Sequence, residues 1–229
     1  MEYTTYGEDL SFSKYLSKCF LWMFLGLLAS FATAAIFSYT NLFLDIFANL
    51  GNGFIILASI IEIVLVISLS FSIMKLSTGK ALTLFFVYSI VNGITLSSIF
   101  YVYELTSIIY VFLASAAIFG VMSFVGYTTN LDLSKLRNFI LLSLVLMLIT
   151  GIVLAFAYSD TAYMVYSFIG VGLFMIITTY DIHIIKNMYY STHSNEQKNA
   201  LAIYGALQLY LDFINIFLHL LSLIAKNRD

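Results

Sequence analysis

Three carboxylic acids stand inside long apolar stretches, where an ionised group is least at home. Asp181 interrupts Gly170-Val-Gly-Leu-Phe-Met-Ile-Ile-Thr-Thr-Tyr-Asp-Ile-His-Ile-Ile185, Asp212 interrupts Leu207-Gln-Leu-Tyr-Leu-Asp-Phe-Ile-Asn-Ile-Phe-Leu-His-Leu-Leu221, and Glu62 lies well inside a third run. An acid at membrane depth is costly and persists when it faces a cavity, a partner or an ion, so each is a functional-site hypothesis. No run carries a Lys or Arg in its middle. A purely structural network would supply such a cation, because unpaired buried charge is expensive. Two carboxylates about 4 Å apart repel by roughly 4 kcal/mol at an effective dielectric near 20, which is equivalent to about 3 pKa units. Such a pair shares a proton or is neutralised by a cation, and either makes it responsive to pH. Carboxylates among amide and hydroxyl oxygens are also hard ligands suited to calcium, which makes Asp181, Asp212 and Glu62 candidates for a transient calcium site.

The elements that must position these acids are membrane spans. Of 229 residues, 62% are hydrophobic and 10% charged, whereas a soluble domain is about 45–50% apolar and about 25% charged. A polytopic, all-α membrane protein is therefore expected. The net charge of −2 and the lack of a basic block argue against nucleic acid as a partner. The single cysteine, Cys19, excludes an internal disulfide, and no Cys/His cluster has zinc spacing. The first residues are charged and the apolar run after them is too long for a signal peptide.

At about 20 apolar residues per crossing, seven spans are expected over 19–39, 54–74, 81–103, 108–127, 138–158, 163–185 and 200–225. That divides the chain into a tail over 1–18, one seven-helix domain over 19–225 and a short end over 226–229. The tail is expected to be interfacial in its last part, and only 187–199 and 128–137 leave room for structure outside the spans. With no proline in the chain, breaks must come from glycine or polar side chains. Lys14, Lys18, Lys75, Lys80, Lys135, Arg137, Lys186 and Lys198 fall in alternate connections, and Asp45, Glu104 and Asp160 in the others. The positive-inside rule then places the N-terminus in the cytoplasm. Lys226 and Arg228 after span 7 run against it, so span 7 either crosses against the rule or dips and returns. Tyrosines near span ends, such as Tyr39, Tyr103, Tyr158 and Tyr190, read as interfacial anchors.

Span 7 carries a polar seam: Gly205, Gln208, Asp212, Asn215, His219 and Ser222 recur at spacings of 3, 4, 3, 4 and 3, which places them on one helical face. Either the seam lines a wet path or it joins helices by hydrogen bonds. On span 6 the corresponding face is Gly170, Phe174, Thr178, Asp181 and Ile185, with Gly170 and Gly172 allowing close approach. Span 2 adds Ser59, Glu62 and Ser70, and span 3 adds Tyr88, Asn92, Thr95 and Ser98. Glu62, Asn92, Thr95, Gln208, Asn215 and His219 are the candidate lining residues of a shared cavity. For His183 and His193, near the connection between spans 6 and 7, no chemistry is expected.

Three stretches carry a resemblance. Tyr88-Ser-Ile-Val-Asn-Gly-Ile-Thr-Leu-Ser97, the Tyr180-Asp181 step and Leu209-Tyr-Leu-Asp-Phe-Ile-Asn-Ile-Phe217 together resemble the Bax inhibitor-1 family, and the likeness runs from Phe12 onward. It implies a seven-helix bundle with helix 7 near its centre and a pH-sensitive calcium leak, in which Asp181 and Asp212 act as sensor and gate. Glu62 matches an acidic position of the family's second helix. Some relatives carry an arginine late in that helix that latches onto the helix 6 aspartate; here Ser72-Ile-Met-Lys75 stands in its place, and a lysine lacks the bidentate fork. The expected ligands are the lipid bilayer, protons and calcium as permeant ion, with no cofactor. The short tail suits a bacterial cytoplasmic membrane, with an internal eukaryotic membrane as the alternative.

Two other functions use the same residues. A proton-coupled cation transporter or antiporter would employ the acids with His219, although the inverted repeats of such proteins are not evident. An intramembrane aspartyl protease would pair the two aspartates around one proton, but that family's Gly-x-Gly-Asp and Pro-Ala-Leu motifs are missing, so no enzyme is expected. A regulator that binds other membrane proteins is a further reading that no residue tests.

Overall fold

A computed structural model describes residues 11–72, 77–129, 131–157, 159–192 and 194–225. The first ten residues, Lys75, Tyr158, His193, Lys226 and Arg228 lie outside the described residues. Long apolar runs with no proline give helices, in the order α1 (Phe12–Tyr39), α2 (Leu42–Leu50), α3 (Asn52–Ser72), α4 (Thr78–Leu96), α5 (Ile99–Val102), α6 (Leu105–Thr128), a 3-10 turn (Leu133–Leu136), α7 (Arg137–Ala157), α8 (Asp160–Ser191) and α9 (Asn195–Ile224). Seven of the described helical segments are long and apolar enough to cross a membrane, in the order expected from the sequence. Helices pair their backbone groups internally, so a bundle of them is an architecture that lipid permits. The protein is an integral, multi-pass membrane protein.

Several boundaries differ from the sequence reading, each for a local reason. The first span begins at Phe12 rather than 19, because the Ser11 hydroxyl accepts from the Lys14 N–H and caps the helix. The connection after it folds into α2, entered through Asn41 at φ 56 and left through Gly51 at φ 56, residue types that tolerate left-handed backbone. Phe43 pins α2 by stacking on Tyr101 and packing edgewise on Phe54. The third span breaks at Ser97 and Ser98, whose hydroxyls donate back to the carbonyls of Ile94 and Thr95 at 2.6 and 2.8 Å. Such back-bonding competes with the helical ladder.

The segment 187–199, expected as a connection, is mostly helix: α8 runs on to Ser191 and α9 starts at Asn195. Aromatic packing extends α8, since Tyr189 meets Phe12 and Tyr15 at ring distances of 5.3 Å each. Lys198 is buried on α9 with its ammonium 4.5 Å from the Tyr189 ring centre, a cation–π contact. Lys18 donates to Asn199 Oδ1 at 2.8 Å, so the start of α1 clasps the start of α9.

Packing assigns each helix a neighbour. α9 packs on α1, α4, α6 and α8, whereas α3 packs on α2 and α4. α7 leans mainly on α8 and exposes Leu141, Leu148, Ile152 and Phe156, as a lipid-facing helix does. Two glycines set the closest crossings. A Cβ on Gly93 would stand 2.5 Å from the Ser30 carbonyl oxygen, and one on Gly126 would stand 2.7 Å from that of Thr179. These brings α4 onto α1 and α6 onto α8, small residues admitting a neighbouring backbone as in other membrane helices.

Gly93→Ala and Gly126→Ala are each expected to destabilise by about 1–3 kcal/mol through overpacking, whereas Gly120→Ala, where no atom lies within 4 Å of the new Cβ, gains helix propensity and raises the melting temperature in detergent. Outside the spans, the exposed carboxyl of Asp132 is held below the usual carboxylate range by hydrogen bonds from the Ser134 hydroxyl and N–H. A depressed carboxyl stabilises its turn above the ordinary Asp range and loses that contribution as pH falls through the lowered value. Ser134→Ala is expected to return Asp132 part of the way to the ordinary range, read by carboxyl NMR titration.

Candidate functional site

The polar seam of α9 meets α8 along its length. Gly205 faces Ile185 and Cys19, and an added Cβ would stand 3.1 Å from the Ile185 side chain and 3.2 Å from Cys19 Sγ. Two turns further, Asp181 stands close enough for its charge to act on Asp212, while the neighbouring Thr178 hydroxyl donates to the Phe174 carbonyl at 2.8 Å. His219 then sits against Gly170, where a Cβ would come within 2.5 Å of its ring, between the rings of Tyr166 and Phe174 at 5.2 and 5.9 Å. At the far end Ser167 donates to Ser222 at 3.1 Å. The α8 partners Ile185, Asp181, Thr178, Phe174, Gly170 and Ser167 descend as the α9 residues ascend, so two i, i+3, i+4 faces interlock antiparallel.

This seam buries the two aspartates. Asp181 is 7% exposed and Asp212 is 2% exposed. Asp212 Oδ2 is buried with no hydrogen-bond donor from the described residues, and so is Gln208 Oε1 one turn below. A carboxylate oxygen left without a donor carries the full cost of desolvation. No lysine or arginine among the described residues is a source of charge acting on either aspartate. Arg137, at the start of α7, acts on Tyr180 instead. Besides Asp212, the ionisable neighbours that feel Asp181 are Tyr180 and Tyr204, and the Tyr204 hydroxyl is hydrogen-bonded with Ser70 of α3.

The candidate lining residues do not form one group. Asn215 turns its amide back to the Leu211 carbonyl at 2.8 Å, and His219 is enclosed by rings. Asn92 and Thr95 belong to a second cluster around Glu62. Thr95 donates to Glu62 Oε1 at 2.8 Å and Asn92 Nδ2 does so at 3.4 Å. Of the three acids named as candidates for a transient calcium site, Glu62 stands apart from Asp181 and Asp212, and among the described residues no three His, Cys, Asp or Glu side chains come together. The separation is topological, since α3 packs chiefly along α4 and Glu62 finds its donors there. Gly172, expected to admit a neighbour, has no atom within 4 Å of an added Cβ.

Sequence periodicity missed two residues that join the Glu62 cluster to α9 and α1. Tyr210 donates to Asn92 Oδ1 at 2.7 Å, and its oxygen lies 2.6 Å from Ser30 Oγ. Both are fully buried. The available signal was position: Tyr210 is mid-span, far from the interface where tyrosine anchors sit.

The Gly170 niche gives a direct test of the seam. Gly170→Val is expected to destabilise by about 1–3 kcal/mol by driving His219 from its place. The double variant Gly170→Val/His219→Ala should recover part of that loss in detergent melts, since the new side chain then occupies the space of the imidazole.

The sequence as a whole matches known proteins. The family model described as inhibitor of apoptosis-promoting Bax1 covers residues 12–229. An inner membrane protein of Escherichia coli K12, YbhL, is 37% identical over 217 residues, covering 93% of this chain and 92% of the relative. An uncharacterised protein of Borreliella burgdorferi is 36% identical over 228 residues, covering 97% and 96%. Another from Rickettsia prowazekii is 33% identical over 225 residues, covering 98% and 94%. With a match over nearly its whole length and bacterial relatives of equal span, this chain belongs to the Bax inhibitor-1 family.

Proposed function

We propose that the protein is a pH-sensitive calcium leak channel of the Bax inhibitor-1 type, gated by protonation of the Asp181–Asp212 pair. The observation that supports this most is the α8–α9 seam itself. It holds two buried carboxyls within reach of each other's charge, leaves Asp212 Oδ2 without a donor, and brings no basic group of the described residues to act on them. Two acids in such a place cannot both be ionised cheaply, so the pair takes up a proton or a cation. Each form sets a different force between α8 and α9: repulsion when both are charged, a shared hydrogen bond when one proton lies between them. Calcium is the ion this chemistry favours, as a hard cation that takes carboxylate and carbonyl oxygens.

The bacterial inner-membrane relative supports placement in a cytoplasmic membrane. The basic residues of alternate connections support a cytoplasmic N-terminus. With His219 enclosed by rings rather than joined to the acids, the transporter reading loses its relay residue.

Calcium release from liposomes loaded with a calcium-sensitive dye tests the proposal across a pH series. Wild-type flux is expected to change with pH, and Asp181→Asn/Asp212→Asn to give a flux that does not. Equal fluxes for the two proteins at every pH would contradict it, as would saturable flux with stoichiometric proton movement.

A further inference from the structure

The hydrogen-bonded chain that starts at Glu62 has a property the aspartate pair lacks: it can run in either direction. Its members are Glu62 on α3, Asn92 and Thr95 on α4, Tyr210 on α9 and Ser30 on α1. With Glu62 ionised every donor points toward it. Ser30 donates to Tyr210, Tyr210 to Asn92 Oδ1, and Asn92 Nδ2 to Glu62 Oε1, at 2.6, 2.7 and 3.4 Å. Thr95 adds a second donor to the same oxygen at 2.8 Å.

Both outer hydroxyls have a second acceptor in place. Ser30 Oγ lies 2.7 Å from the Ser89 carbonyl oxygen and 3.1 Å from that of Gly26. Thr95 Oγ1 lies 2.8 Å from the Asn92 carbonyl oxygen. Each hydroxyl carries one hydrogen, so these acceptors are alternatives, and the chain holds more acceptors than hydrogens at each end. Between them Asn92 is a side-chain amide, whose oxygen and nitrogen exchange places by rotation with almost no change of shape.

We propose that Glu62 is a proton-binding site separate from the aspartate pair, and that its protonation reverses the Glu62–Asn92–Tyr210–Ser30 chain. One added proton accounts for the whole change. Protonated Glu62 donates to the turned amide oxygen of Asn92, the amide nitrogen donates to Tyr210, Tyr210 to Ser30, and Ser30 to the Ser89 carbonyl. Thr95 falls back on the Asn92 carbonyl of its own turn. No buried donor is stranded in either direction, which is the condition for a buried polar chain to persist in an apolar bundle.

The groups around Glu62 leave the chain as its main partner. Tyr88 and Tyr210 are the ionisable side chains that feel its charge, from α4 and α9. On the same helix as Asn92, Lys80 is twelve residues away, about 18 Å of helical rise. Asp45 on α2 precedes the start of α3, ten residues and about 15 Å of rise below Glu62. Tyr210 also packs edgewise on Phe85 and Tyr88 at 5.9 and 5.6 Å, which keeps its hydroxyl in line whichever way the hydrogens point.

Infrared difference spectroscopy of the reconstituted wild-type protein, stepped from about pH 4 to about pH 10 to span the carboxyl range, tests this without reference to ion flux. A carboxylic acid band absent from Glu62→Gln is expected to titrate, to persist in Asp181→Asn/Asp212→Asn, and to be accompanied by a tyrosine band absent from Tyr210→Phe. In Glu62→Gln that tyrosine band should no longer titrate. Asn92→Leu, which removes a charge-assisted bond from the ionised state, should move the Glu62 midpoint up by roughly half to one pH unit; if that variant does not fold, the Tyr210 band with and without Glu62 decides alone. A Glu62 carboxyl fixed in one protonation state, or one that titrates while the Tyr210 band stays unchanged, would overturn the proposal. Failure of the calcium reading would leave these bands untouched, so the two are distinguished.

Discussion

The constraint on which this bundle depends is the burial of two carboxyls between helices that offer them no basic partner. Apolar packing alone would make α8 and α9 a dry helix pair. Instead the pair is organised around Asp181 and Asp212, with Asp212 Oδ2 buried and given no donor by the described residues. Gly205, Gly170 and the Ser167–Ser222 bond hold the two helices close on either side. The acids therefore sit at the midpoint of a tight contact and not in an open vestibule.

α9 is polar on two opposite faces. Asp212 and Tyr210 are two residues apart, about 200° around the helix, so the face turned to α8 carries the aspartate and the reverse face carries the tyrosine that reaches Asn92 and Ser30. The same helix is thus fixed to α8 by one polar contact and to α1 and α4 by another. α7, by contrast, has one main neighbour, α8, and a broad apolar exterior. A helix held this lightly leaves α8 less restrained on its outer side than α9 is on any side.

Much of this was legible in the sequence, because burial in lipid writes length and periodicity plainly. The seven runs, their order, and the single face shared by Gly205, Asp212, His219 and Ser222 all follow from hydropathy and a 3.6-residue repeat. The facing set on α8, from Gly170 to Ile185, followed from the same repeat. Periodicity names a face but not the helix that covers it. Glu62 therefore looked like a third member of the aspartate site, when α4 in fact supplies its partners. Tyr210 and Ser30 were invisible for the same reason: each is one polar group on an otherwise apolar face, and only their meeting across three helices gives them a role. The α2 helix, the break at Ser97 and the long end of α8 escaped notice because side-chain contacts, such as Tyr189 with Phe12 and Tyr15, decide them.

The central claim is that Asp181 and Asp212 titrate as one unit. Carbon-13 NMR of aspartate-labelled protein in lipid, followed through pH, observes those carboxyls directly. Both signals are expected to move together in two well-separated steps, with Asp181→Asn leaving Asp212 a single step. Two independent one-step titrations in the wild type, each unchanged when the other aspartate is replaced, would contradict it.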